Sequence, residues 1–116
     1  MIEALSAVTL ATHDMARSVA FYAALGFVLK SGGPEAGFTS FHAGNGYLNL
    51  AAVGHAQRWL GWGRVILYVD DVDALHARCV AADLSPAFPP RDAAWGERYF
   101  HIADPDGHEL SFARPL

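Results

Sequence analysis

The chain has 116 residues, 53% hydrophobic and 17% charged, a balance that excludes a disordered chain and suits one domain of ordinary size. Its net charge of −4, with Lys30 the single lysine and the arginines scattered, argues against nucleic-acid or anionic-membrane partners. No stretch reaches the roughly 18 apolar residues of a membrane span, no basic-then-apolar leader opens the sequence, and Cys79 has no cysteine to pair with, so the expectation is a cytoplasmic protein without disulfides.

Ala4 to Ala11 alternates as a half-buried strand does. Asp14 is a natural N-cap, Met15, Val19, Tyr22 and Leu25 follow at helical spacing, and Gly26 supplies the C′ glycine. Phe27 to Lys30 reads as a strand, turned by Ser31-Gly32-Gly33-Pro34. Phe38 to His42 and Tyr47 to Val53 read as a hairpin whose Asn45-Gly46 step provides positive φ. After a connection through Gly54 to Gly61 the order repeats: strand Arg64 to Val69, helix from Asp71 to about Ala82, and a short strand near Pro86 to Phe88. A loop through Arg91 to Trp95 then precedes the hairpin Glu97–Ala103 and Glu109–Ala113, turned by Asp104-Pro105-Asp106-Gly107. Cys79 shares its helical pattern with Val72, Leu75 and Val80, which predicts a buried structural thiol.

The two halves match. Val8, Leu10, Thr12, Asp14 and Met15 return as Val65, Leu67, Val69, Asp71 and Val72, and Leu25-Gly26-Phe27 returns as Ala82-Asp83-Leu84. The prediction is one α+β domain over 1–116, made of two β-α-β-β-β modules at about 4–53 and 62–114 with a linker at 54–61. Their mixed, curved sheets are expected to enclose a central cleft. Period-two alternation places Val8, Leu10, Leu48, Leu50, Val65, Leu67, Val69, Phe100, Ile102, Leu110 and Phe112 under the helices. The opposite faces receive Ala7, Thr9, Tyr47, Asn49, Ala51, Arg64, Ile66, Tyr68, Tyr99, His101, Glu109, Ser111 and Ala113, a mixed polar and aromatic set that suits a ligand site better than a core.

Asp14-Met15-Ala16-Arg17-Ser18 with Phe21-Tyr22 and Leu25-Gly26-Phe27, then Asp104-Pro105-Asp106-Gly107-His108-Glu109-Leu110, together resemble the vicinal-oxygen-chelate superfamily. That superfamily groups glyoxalase I, extradiol dioxygenases, fosfomycin-resistance enzymes and bleomycin-resistance binding proteins. The resemblance covers nearly the whole chain and implies a glyoxalase-like fold and a homodimer. It also implies, for the enzymes, a divalent metal held by His, Gln or Glu from four strands. Carried onto this sequence, the four ligand positions hold Ala7, Asn49, Arg64 and Ser111. Alanine has no donor, serine is a poor ligand, arginine is a cation, and one asparagine oxygen makes no site.

The expectation is therefore a metal-independent small-molecule binding protein of the bleomycin-resistance type, without a cofactor. It would sequester a planar or aromatic compound, anionic or neutral, in a dimeric cleft. Candidate ligand contacts are Arg64, Asn49, Tyr47, Tyr68, Tyr99, His101, Ser111 and Glu109, with Trp59, Trp62 and Trp95 in the loops. Arg64 has two partners open to it, an anionic ligand group or Glu109 across the sheet. The alternative function is a metal-dependent lyase, isomerase or dioxygenase using a displaced His42, His101 and Glu109 set. A metal-free enzyme with Arg64 stabilising an enolate is a third. His13, His55, His76 and His108 read as surface residues.

Overall fold

The computed structural model describes residues 1–116, which divide into two compact units, Met1–Arg58 and Trp59–Leu116. The boundary falls inside the expected connection. The first unit contains strand β1 (Ala7–Thr12), helix α1 (Met15–Ala24) and strands β2 (Val28–Ser31), β3 (Phe38–Ala43) and β4 (Gly46–Ala52). The second contains β5 (Arg64–Tyr68), α2 (Val72–Ala81), β6 (Arg91–Asp92), β7 (Glu97–Ala103) and β8 (Glu109–Pro115). Each unit folds one four-stranded sheet, ordered β1-β4-β3-β2 in the first and β5-β8-β7-β6 in the second. In both, the first strand pairs parallel with the last, and the remaining pairs are antiparallel. The architecture is the predicted pair of β-α-β-β-β modules.

The helices begin and end alike. Asp14 and Asp71 cap them, each carboxylate accepting a backbone N–H at 3.0 Å three residues on. Each ends with the N–H of Phe27 or Leu84 donating back to the carbonyl of Tyr22 or Cys79, the 6→1 bond of a Schellman turn. That turn needs a left-handed residue, which Gly26 supplies at φ 95° and Asp83 at φ 58°. Asp83 is the only non-glycine residue with positive φ.

The helix-facing alternation is as read. Leu10, Leu48 and Leu50 are buried beneath α1, where Tyr22 packs its ring against Phe21, Phe27 and Phe41. Phe100, Ile102, Leu110 and Phe112 are buried in the second unit, with the Phe100 and Phe112 rings in contact and His76 of α2 edge-on to Phe100. Cys79 is fully buried, and its burial pushes the thiol pKa up, as befits an inert packing residue. Arg98 on β7 ties α2 to its sheet: the guanidinium holds Asp73 at 2.7 and 2.8 Å and Asp92 at 3.0 Å. These hydrogen bonds, helped by the opposite charges, lower the Asp73 carboxyl pKa and raise that of the guanidinium.

Three local expectations change. No strand forms at Pro86–Phe88; Pro86, Pro89 and Pro90 lack N–H donors, and the segment makes one ladder-like bond, from Ala87 N–H to the His101 carbonyl at 2.8 Å. The edge strand forms instead at Arg91–Asp92, in the segment read as loop, with Arg91 opposite Tyr99. In the first hairpin the positive φ belongs to Gly44 (59°), not to Asn45-Gly46, as in a two-residue turn with glycine at its first central position. Gly46 is needed for another reason. A Cβ there would sit 2.7 Å from the Ser6 carbonyl oxygen, where the chain entering β1 crosses the hairpin.

Candidate functional site

The face of each sheet away from its helix carries the candidate residues. In the second unit, strand register sets Arg64 beside Glu109, Ile66 beside Ser111, Tyr68 beside Ala113, and Tyr99 and His101 on the next strand. Of the two partners open to Arg64, the structure gives it Glu109: Nε donates to Oε2 at 3.2 Å. The other oxygen, Oε1, lies 2.8 Å from His101 Nδ1. Since a carboxylate only accepts, Nδ1 carries the proton in this contact. Burial pushes the His101 pKa below its usual value; Glu109 opposes that shift and Arg64 adds to it, so the imidazole is uncharged at neutral pH.

Beyond this chain of polar groups lies an aromatic cluster. Tyr99 is buried (8% exposed), its ring within 5.2 Å of both Trp95 and His101 and 5.5 Å of Phe88. Phe88 also packs 5.3 Å from His101. Arg91 lies across this group, its guanidinium 3.8 Å over the Phe88 ring and its Nε donating to the Tyr99 hydroxyl at 3.1 Å. At the far end, Glu97 accepts from Trp95 Nε1 at 2.8 Å and from the Tyr68 hydroxyl. The Glu97 hydrogen bond raises the Tyr68 pKa and keeps the phenol protonated. Tyr68 and Trp95 remain 65% and 66% exposed, so the cluster presents ring surface to solvent with its polar ends already bonded.

Ser111 is buried within this face. Sequence reasoning missed Phe88, Arg91 and Glu97. The proline-flanked stretch around Phe88 resembles plain loop, and Arg91 acquires its place only through the short β6–β7 ladder.

The first unit's corresponding face is built differently. Asn49 is committed at both ends of its amide: Oδ1 accepts from Ser40 at 2.6 Å and Nδ2 donates to Thr9 at 3.2 Å, which pins three adjacent strands. Tyr47 packs 5.8 Å from His42, and the Lys30 ammonium lies 4.9 Å over the Tyr47 ring.

The tryptophans separate into two kinds. Trp59 donates to the Asp106 carbonyl at 3.0 Å and stacks on His108 at 5.0 Å, while Trp62 donates to His108 Nδ1 at 2.8 Å. His108 is therefore buried between two indoles (3% exposed) and is not the surface residue expected. Asp104 completes the arrangement, its buried carboxylate accepting the N–H groups of Asp106 and His108 at 2.9 Å. This part of the second unit is a turn locked by side chains. Trp95 alone belongs to the aromatic face.

The four positions at which the resemblance expects metal ligands do not fit a divalent ion. Ala7 has no donor, Asn49 is bonded at both ends, Arg64 brings a guanidinium paired with Glu109, and Ser111 is a neutral hydroxyl. His101 does stand beside Glu109, but no three His, Cys, Asp or Glu side chains, His42 among them, group to hold a metal ion.

With this geometry in view, the likeness to known proteins is direct. The model of the Glyoxalase/Bleomycin resistance protein/Dioxygenase superfamily matches residues 4–112, and the chain belongs to that superfamily. TioX from Micromonospora sp. ML1 has a similar structure, with a TM-score of 0.79 and 28% identity over 98% of this chain and 100% of that one. The bleomycin resistance determinant encoded on the transposon Tn5 also has a TM-score of 0.79, at 22% identity over 97% and 98% of the two chains, a likeness of fold. An uncharacterised protein of Mycobacterium bovis is 40% identical over 50 residues, 43% of this chain and 33% of that protein. The match thus spans about a third of that relative's length.

Proposed function

We propose that the protein is a metal-independent binding protein of the glyoxalase/bleomycin-resistance type that sequesters a planar aromatic compound against the open face of its second sheet. The observation that carries this reading is the cluster of Tyr68, Trp95, Tyr99 and Phe88. Its indole and phenol polar atoms are bonded within the protein, which leaves ring faces as the free surface. Such surface favours stacking of a planar ligand over hydrogen-bond readout. The poor fit of Ala7, Asn49, Arg64 and Ser111 to a divalent ion supports a role without metal chemistry. Exposed Val28, Phe38 and Ile66 on the open faces support a homodimer in which a second copy helps enclose the ligand. The proposed compartment is the cytoplasm.

Titration of the purified protein with planar aromatic compounds, followed by tryptophan fluorescence and calorimetry, tests the reading. Saturable binding that Trp95→Ala weakens is the expected outcome. Metal analysis supplies the opposing one: a stoichiometric ion lost on His101→Ala would replace this reading with a metal-dependent one.

A further inference from the structure

We infer that the open face of the second sheet selects aromatic carboxylates, and that Arg91 holds the carboxylate. This rests on the aromatic-binding reading and adds a charge preference to it. Four arginines lie on that unit's strands: Arg114 donates to the Val69 carbonyl at 3.4 Å, and two of the other three are already matched by carboxylates. Arg64 is paired with Glu109, and Arg98 with Asp73 and Asp92. Arg91 spends only its Nε, and on the uncharged Tyr99 hydroxyl. No carboxylate lies within ion-pair distance of it.

Its setting is that of a recognition group. The Phe88 ring at 3.8 Å and the Tyr99 ring at 5.4 Å restrict the guanidinium plane, which lowers the entropy lost when a ligand is bound. Stacking and the Nε bond leave the two terminal NH₂ groups for the paired oxygens of a carboxylate. Arg91 is exposed at the sheet's edge strand, within the same cluster as Tyr99 and Trp95. A flat acid can thus place its ring on the aromatic surface and its carboxylate on the fork. The chain's net charge of −4 offers no general attraction for anions, so a preference for one must be local.

The test compares 2-naphthoate with uncharged 2-naphthamide by calorimetry on the full chain. The wild type is expected to bind the carboxylate about tenfold more tightly, the scale of one charge-assisted interaction. Arg91→Gln is expected to bring the two affinities to within about twofold of each other, erasing that preference. A preference that survives Arg91→Gln, or equal binding of both compounds by the wild type, overturns the inference and leaves the aromatic-binding reading standing. Failure of the wild type to bind either compound overturns that reading itself, and the inference with it. Should Arg91→Gln also lose the amide, Arg91→Lys repeats the test. A reduced preference is then expected, because lysine keeps the charge without the fork, and an undiminished one overturns the inference.

Discussion

The two units share a strand order, a helix with the same caps at both ends, and a helix-facing layer of the same character, yet their open faces have little in common. The first presents Thr9, Asn49 and Ser40 joined by hydrogen bonds. The second presents a polar chain through Arg64, Glu109 and His101, followed by an aromatic cluster. Packing explains the difference in freedom. Beneath a helix every side chain meets a close-packed neighbour, and a change of one methylene is felt. An open face has no such partner within its own unit, so it can diverge while the scaffold stays. Function is to be sought where the halves differ.

The largest effects should be those that show the halves alike. Phe41 and Phe100 are both buried at the centre of their layers, so Phe41→Ala and Phe100→Ala are each expected to cost about 3–5 kcal/mol in urea denaturation. A cost below about 1 kcal/mol in one unit only would break the equivalence. Next comes a contrast between the turns. His108→Ala removes the ring held by Trp59 and Trp62 and should cost about 2 kcal/mol, whereas Asn45→Ala in the exposed first turn should change stability by less than about 0.5 kcal/mol.

A smaller, opposite pair lies at the helix ends. Gly26→Ala forces a side chain into the left-handed region and should cost about 1 kcal/mol, while Asp83→Gly relieves that conformation and should stabilise by up to about 0.5 kcal/mol. Thermal melts of both variants read the sign directly.

The smallest effect is one of pH. The folded state holds His101 below its ordinary value, so the unfolded chain binds a proton more readily. That contribution is complete above the unfolded value near 6.5 and is lost as pH falls through the folded one. His101→Gln should therefore flatten the stability profile on the acid side of neutrality. An unchanged profile would mean that burial of the imidazole does not matter to folding.

Much of this was legible in the sequence. Aspartates before apolar helical runs, glycine at a C′ position and strict alternation are local signals, and they placed both helices and seven of the eight strands. The strand around Arg91 escaped because only two residues pair, and their pairing depends on Tyr99 and Arg98 rather than on their own character. The candidate face was legible as a set of side chains, since register follows from alternation. Its internal partnerships were not. That Glu109 is shared between Arg64 and His101, or that two indoles close on His108, depends on rotamers and loop paths that no periodicity encodes.

The parallel pairing of first and last strand within each unit has a kinetic consequence. Thr9 and Asn49 meet across 40 positions, and Arg64 and Glu109 across 45, so each sheet closes a loop well under half the chain. Closure entropy is thus met twice over short spans instead of once over a long one, which favours faster search and two separable nuclei. An interruption of the chain at the Arg58–Trp59 boundary would leave both sets of closing contacts intact.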